Sequence, residues 1–444
     1  MKRLVIVANR VPDPKERGAT AGGLAVALQD AVSRRDAVWF GWSGKMAEAT
    51  AAEPSLMRQG RLTYATLDLG EDDYRRYYQG FSNGSLWPTL HYRLGLAHFS
   101  RDDYAGYRGV NEAFAAALAP LLRPDDLVWM HDFHLFPMGA ELRRRACRQR
   151  LGFFLHVPFP PHAVFSGLPR AHELLSDLAA YDVIGMQTED DAANLRHALA
   201  AEGQEEAAGR VRAFPIGIDA DAFTKLAERA VEKQEMARFR RSLAGRALVI
   251  GVDRLDYSKG LPQRFSGYGQ LLARYPGHRS RLSYLQVTPV SRGDVAQYQN
   301  LRRELDELVG RINGDYAEPE WVPLRYMTRP VPRPTLAGFM RHARAGLVTP
   351  LRDGMNLVAK EYIAAQDPDD PGALVLSRFA GAAPYLKGAL LVNPLDPDEI
   401  AEALDQAMAM PLEERSARWR PMADEVRRNT ARSWCQAFLA ALEG

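Results

Sequence analysis

The part of this chain best suited to chemistry is a pair of carboxylates spaced across a loop and a helix start. Thr349 to Gln366 reads TPLRDGMNLVAKEYIAAQ, behind the apolar run Ala345-Gly346-Leu347-Val348 and ahead of the turn pair Asp367-Pro368. The run reads as a short buried strand, Pro350 ends it, and from Asn356 the residues Leu357, Val358, Tyr362 and Ile363 recur at helical spacing. A strand, a tight loop and a helix in that order aim the helix's unpaired N–H groups and positive dipole end at whatever sits above the strand, a place suited to phosphate. Asp353 stands in the loop and Glu361 a turn and a half into the helix, so a diphosphate on the helix start would have two carboxylates nearby for hydroxyl groups. Taken alone, a helix-capping Asp353 and a solvated Glu361 account for the same letters.

Cations stand at other strand ends. Val252-Asp253-Arg254-Leu255-Asp256-Tyr257-Ser258-Lys259-Gly260 follows an apolar run and enters the helical pattern Leu261–Tyr275. Arg254 with its planar fork and Lys259 with its point charge would clamp a pyrophosphate; two solvated cations at a turn are the rival reading. Arg10 follows the first apolar run and Arg292 a later one. Gly22-Gly23 would let a ligand approach the backbone, or simply make a turn. Asp132 and His156 also follow apolar runs, although a lone His beside a strand is more often a core residue.

These positions need a scaffold of parallel strands. Apolar runs alternate with helical patterns along most of the chain: Leu4–Ala8, Val38–Trp42, Leu127–Met130, Gly152–His156, Val183–Gln187, Val249–Val252, Leu282–Val287, Gly346–Thr349, Ala373–Leu376 and Leu390–Val392. Near-continuous hydrophobic runs separated by helices predict an α/β protein with sheets covered on both faces, in which ligands lie beyond the carboxyl ends of the strands. With 444 residues, two doubly wound, Rossmann-like domains fit, with a cleft between them. The expected domains are 1–232 and 233–420, with 421–444 a C-terminal amphipathic helix, carrying Trp434 and Phe438, packed back on the first. The two domains are expected to close over a ligand.

Composition narrows the classes. Lys plus Arg number 57 against 55 Asp plus Glu, so no global field recruits nucleic acid or an anionic membrane. Two cysteines, Cys147 and Cys435, offer neither a disulfide framework nor metal spacing, which suits a reducing cytoplasm. No window reaches the ~20 apolar residues of a membrane span. Pairs of the form Asp-x-Asp occur at Asp219 and Asp221, Asp367 and Asp369, and Asp396 and Asp398, each in a turn or cap, and none is assigned to metal.

With these residues in view, the chain resembles the trehalose-6-phosphate synthases, retaining glycosyltransferases of the GT-B fold. The likeness runs nearly end to end: Asn9-Arg10, Ala21-Gly22-Gly23-Leu24, Trp39-Phe40-Gly41-Trp42-Ser43-Gly44, Phe81-Ser82-Asn83 with Leu86-Trp87-Pro88, His91-Tyr92-Arg93, His131-Asp132, the His156 segment, Arg254 to Gly260, Ser291-Arg292-Gly293-Asp294, Arg311-Ile312-Asn313-Gly314, and Thr349 to Gln366.

The resemblance implies transfer of glucose from a nucleotide-glucose, UDP-glucose first, to glucose-6-phosphate. It implies a donor site of Gly22 or Gly23, Arg254, Lys259, Val331 near the base, the backbone of Leu357, Val358, Ala359 and Lys360, and Glu361 on the ribose. Asp353 and His156 would hold hydroxyls of the transferred glucose. The acceptor would lie on Arg10, Tyr78, Trp87, Asp132 and Arg292. It further implies reaction on one face of the sugar, with the leaving phosphate taking the acceptor's proton. No cofactor and no metal are expected, and a homo-oligomer is compatible with the reading. Where relatives place an aromatic near the nucleobase, this chain has Val331 between Pro330 and Pro332, which leaves uridine, guanosine and adenosine open. The same fold and donor with another acceptor, such as glycerol-3-phosphate or a pseudo-sugar, is the alternative. A nicotinamide oxidoreductase would need G-x-G-x-x-G after a strand, and the near match Gly267-Tyr268-Gly269 falls inside a helical pattern.

Overall fold

Each of the ten apolar runs overlaps a strand. The structure, a computed structural model, describes residues 2–12, 28, 35–290 and 296–444. The chain divides into two compact units, Met1–Ile216 with Ala431–Gly444, and Gly217–Thr430.

The first unit is built on β1 (Leu4–Arg10), β2 (Ala37–Ala47), β3 (Ser55–Gln59), β4 (Leu62–Gly70), β5 (Leu127–His131), β6 (Arg150–Phe154), β7 (Val183–Met186) and β8 (Val211–Ala213). They form one sheet in the order β3-β4-β2-β1-β5-β6-β7-β8. Every neighbouring pair is parallel except β3 with β4. The exposed, antiparallel β3 has no apolar run, so no hydrophobic pattern marks it. The sheet grows one way from β1 through β2 to β4 and the other way from β5 to β8. Its direction therefore reverses between β1 and β5, and such a reversal opens a crevice at the carboxyl ends of those two strands.

The second unit holds β9 (Ala247–Val252), β10 (Leu282–Val287), β11 (Leu324–Met327), β12 (Ala345–Val348), β13 (Ala373–Ser377) and β14 (Leu390–Val392). Their order, β11-β10-β9-β12-β13-β14, is parallel throughout and reverses between β9 and β12. Helices cover the sheet. The core includes Phe265, Tyr268 and Leu272 of the helix Leu261–Arg274, Ile400 and Leu404 of the helix Pro397–Ala409, and Val249 and Leu347 from the strands.

The unit boundaries differ from those expected at 232/233 and 420/421. Residues 217–232 belong to the second unit, because Thr224 Oγ1 of the helix Ala220–Val231 donates to Ala364 O at 2.7 Å and Phe223 packs under Arg333. Residues 421–430 also stay there. Pro421 lies inside the helix Leu412–Arg428, whose Trp419 Nε1 donates to Ile363 O at 3.0 Å. The helix expected from Pro421 is thus two helices. The second, Ala431–Glu443, belongs to the first unit, where the Phe438 ring stacks on Trp129 at 4.4 Å and Arg150 Nε donates to Leu442 O at 3.1 Å. Among the described residues no helix is long and apolar enough to cross a membrane.

Candidate functional site

In the second unit the residues singled out from the sequence gather at the reversal point, beyond β9 and β12. A tight junction joins the two loops there. Leu351 N donates to Ser258 O at 2.8 Å, tying the loop after β12 to the loop after β9. Gly260, at φ +64, lies so close that a Cβ there would come 2.4 Å from Thr349 O. Asp256, fully buried, accepts from Ser258 N at 3.0 Å and caps the short turn Tyr257–Lys259. These contacts set Lys259 facing Asp353, with Nζ 2.5 Å from Oδ2.

Asp353 is fixed from several sides. Gly354 N donates to its Oδ1 and Asn356 Nδ2 to its Oδ2, both at 3.0 Å. Its backbone is held by Phe379 O and Gly381 N. Asn356 opens the helix Leu357–Ala365 from a left-handed conformation, φ 71, which asparagine tolerates better than most residues. Its Oδ1 accepts from Ala359 N at 3.1 Å. Of the backbone groups expected to meet a diphosphate, Ala359 N–H is therefore already engaged, and Leu357 and Val358 stand at the helix tip. Lys360 points elsewhere: its side chain is buried with Nζ 5.7 Å from the Tyr385 ring centroid, and burial brings its ammonium down to about 8. Glu361 accepts from Arg333 Nη2 at 3.0 Å, and burial raises its carboxyl while Arg333 pulls it back. Arg254 is exposed beside this junction and Val331 half-buried.

A residue outside the expected set organises these loops. Arg264, one turn into the helix after Gly260, is fully buried. It pairs with Asp253 at the end of β9, donates Nε to Thr349 Oγ1 at 2.9 Å, Nη1 to Gln286 Oε1 at 3.2 Å and Nη2 to Lys259 O at 3.1 Å. One guanidinium thus ties the ends of β9, β10 and β12 to the Lys259 turn. Its only sequence signal is the acid at a strand end with an arginine on the helix behind it, which also fits a solvated helix face.

In the first unit, register brings three expected residues to one edge. Ala8 of β1 pairs with His131 of β5, and His131 with Phe154 of β6. Arg10, Asp132 and His156 consequently lie at the carboxyl ends of three adjacent strands, by the reversal point. Asp132 adopts φ 77, costly for a residue with a side chain. Its N–H donates to Phe154 O at 2.8 Å and its Oδ1 accepts from His156 N at 3.3 Å, which hold it there.

The ring of His156 is held just as firmly. Ile216 N donates to Gln187 Oε1 at 3.1 Å, which turns the Gln187 amide nitrogen toward His156 Nδ1, 3.4 Å away. Nδ1 must then accept, so the proton of neutral His156 sits on Nε2 and is donated to His131 Nδ1 at 3.1 Å. Burial brings the His156 imidazole down to about 3 and pushes His131 well down too, with His156 beside it adding to the effect. Both are neutral at pH 7.

Aromatic rings complete the edge. Tyr78 lies in the π-helical stretch Arg75–Leu86, a wide turn that recurs at functional sites. Its ring stacks between Tyr74 at 5.1 Å and His134 at 5.7 Å, with Trp42 at 6.3 Å. The Arg10 guanidinium lies 5.8 Å from the Trp42 ring centroid. Trp87 is buried, 4.1 Å from His91 and 5.5 Å from Phe133 between ring centroids. Arg10 and Tyr78 are therefore brought together through Trp42, and Asp132 and His156 through direct contact. Gly22, Gly23 and Arg292 lie outside the described residues. Among the described residues no group of three or more His, Cys, Asp or Glu could hold a metal ion.

Comparison with known proteins places this arrangement. The sequence model of Glycosyltransferase family 20 matches residues 3–444. A trehalose-6-phosphate synthase of Sinorhizobium fredii is 48% identical over 453 residues, covering 99% of this chain and 98% of that one. The crystal structure of a UDP-forming alpha,alpha-trehalose-phosphate synthase from Burkholderia vietnamiensis superposes with a TM-score of 0.97 at 46% identity, over 100% of this chain and 99% of that one. Another from Burkholderia xenovorans, in complex with glucose-6-phosphate, gives a TM-score of 0.94 at 42% identity, with each chain covered in full. The two parallel-sheet units are those of the GT-B architecture, and, matched from end to end, the chain belongs to glycosyltransferase family 20.

Proposed function

We propose that this chain transfers glucose from UDP-glucose to glucose-6-phosphate with retention, releasing UDP and trehalose-6-phosphate. The observation that carries the reading is the junction beyond β9 and β12, where Lys259, Asp353 and the start of the helix Leu357–Ala365 are locked together. The relatives' UDP-forming activity and the glucose-6-phosphate bound by one of them support the choice of donor and acceptor.

In this reading Arg254, Lys259 and the N–H groups of Leu357 and Val358 receive the charge that grows on the departing diphosphate. Preorganised donors of that kind act without a metal ion. Glu361, oriented by Arg333, takes the ribose, and Val331 borders the base. Asp353 and His156 hold hydroxyls of the transferred glucose. Since both ring nitrogens of His156 are already engaged, a hydroxyl there must share or displace one of those bonds. Arg10, Tyr78, Trp87, Asp132 and Arg292 receive the acceptor, and Gly22 and Gly23 the donor. The acceptor hydroxyl forms the new bond to the anomeric carbon as the bond to the diphosphate breaks, and its proton leaves with the phosphate.

The test is an assay of UDP-, GDP- and ADP-glucose against glucose-6-phosphate, glycerol-3-phosphate and glucose, in the presence and absence of a chelator. UDP release with formation of trehalose-6-phosphate, unaffected by chelation, is expected. Product formed only from another acceptor, or a strict magnesium requirement, would overturn the reading.

A further inference from the structure

The second unit carries a strongly basic cavity that the proposed reaction does not use. It measures about 590 Å³ and lies where β9, β10, β12 and β13 begin, lined in part by Arg246, Arg281, Arg341, Arg344 and Arg415. The donor loops follow the opposite ends of the same strands. A six-residue strand such as β9 rises ~3.3 Å per residue, which separates the two places by roughly 20 Å.

Five arginines here face two aspartates, Asp367 and Asp370. Asp367 pairs with Arg341 at 3.3 Å, and Asp370 is shared between Arg415 at 2.6 Å and Arg344 at 3.6 Å. Arg246 spends Nε and Nη1 on the Ser280 and Leu243 carbonyls, and neither it nor Arg281 makes an ion pair with a described residue. The cations crowd one another. Burial, and then the neighbouring Arg415, push the Arg344 guanidinium down. Arg415, which lines the cavity, is itself 4% exposed, and its Nε is buried without a hydrogen-bond partner. A buried donor left unsatisfied is costly, and so is a surplus of like charge. An anion would relieve both.

We infer that this cavity is a second anion site, distinct from the donor loops, which takes a small phosphorylated molecule carrying two or more negative charges. Guanidinium forks match phosphate oxygens in pairs, and the volume falls within the range of small-molecule sites. The surplus of arginine over aspartate sets the charge of the ligand. Its position at the amino ends of the strands, opposite the crevice at their carboxyl ends, makes it a binding site and not a place of transfer.

Inorganic pyrophosphate is the probe. It is titrated calorimetrically into protein saturated with UDP and glucose-6-phosphate, a pair that cannot react and that occupies the proposed donor and acceptor sites. One further binding event is expected. The Arg246→Ser/Arg281→Ser double variant should bind roughly tenfold or more weakly, the loss expected from even one charge-assisted hydrogen bond. Its turnover without pyrophosphate should be unchanged. Should the double variant fail to fold, Arg281→Ser alone, at an exposed side chain, gives the same comparison. Absence of binding, or binding equal in wild type and variant, would overturn the site. Because the comparison is between variants, it reads this cavity even if UDP and glucose-6-phosphate prove not to be the substrates.

Discussion

Lys259 Nζ and Asp353 Oδ2 lie 2.5 Å apart across 94 residues of sequence, and both side chains are largely buried. The cation proposed to receive the donor's diphosphate is thus already held by the carboxylate proposed to receive its glucose. Each holds the other in place. Lys259→Ala should lower kcat by roughly 10²–10³-fold, the loss typical of one preorganised group facing developing charge. It should also lower Tm, because Asp353 is left charged without its partner. Adding Asp353→Asn should restore part of the Tm and none of the activity. Steady-state kinetics and thermal denaturation of the three variants decide this; recovery of activity in the double variant would show that the pair is only structural.

Arg264 offers a separate test of how the junction is held. Its guanidinium reaches Asp253, Thr349, Gln286 and the Lys259 carbonyl, a span that a lysine's single ammonium cannot cover. Arg264→Lys keeps the charge beside Asp253 and should fold, yet kcat should fall with little change in KM for the acceptor. Arg264→Met leaves the buried Asp253 unpaired and should cost about 3–5 kcal/mol in urea denaturation. Wild-type kcat in Arg264→Lys would mean that charge alone, and not the fork, holds the loops.

The two neutral imidazoles make stability fall on mild acidification. His156 protonates at about 3 in the folded protein against 6.5 for a free side chain, and His131 is also far below 6.5. Below pH 6.5 the unfolded chain takes up protons that the folded one refuses, so stability is complete above that pH and declines toward pH 3. Each such histidine contributes a slope of ~1.4 kcal/mol per pH unit. Between pH 6.5 and 5, above the main carboxylate range, His156→Asn should lose stability about one proton less steeply than wild type. Equal slopes in urea denaturation would mean that His156 is already protonated in the native state.

Much of this architecture was legible because parallel strands buried on both faces leave near-continuous apolar runs. Residues just after those runs, such as Arg10, Asp132, Lys259 and Asp353, could be picked out as edge residues before any coordinates. Their partners could not. Which loop meets which depends on strand order, so the Lys259 contact with Asp353 and the reach of Arg264 to Thr349 leave no local pattern. The π-helical turn that presents Tyr78 was hidden for another reason: its widening by one residue per turn leaves composition unchanged. The boundary near residue 217 was misplaced because the helix Ala220–Val231 shows charge and amphipathicity, but not the helices Arg333–His342 and Leu357–Ala365 that it packs against.

The last prediction concerns Arg10, whose position depends on a glycine that the sequence showed only as part of a motif. Gly44 has φ +90, and a Cβ there would lie 2.9 Å from both Nε and Nη2 of Arg10. Gly44→Ala should therefore push the guanidinium off its place over Trp42 without removing its charge. If Arg10 reads the acceptor's phosphate, losing that charge-assisted hydrogen bond costs ~1.5–3 kcal/mol, a factor of roughly 10 to 150 in affinity. Arg10→Ala should show that loss with glucose-6-phosphate, Gly44→Ala a part of it, and neither should change KM for UDP-glucose. Unphosphorylated glucose should be a poor acceptor in wild type and should lose little more in either variant. The decisive measurement is kcat/KM for glucose and glucose-6-phosphate in wild type and both variants, with Tm recorded because alanine at positive φ is itself strained. Equal penalties on the two acceptors would show that Arg10 does not read the phosphate, whatever its position over the Trp42 ring.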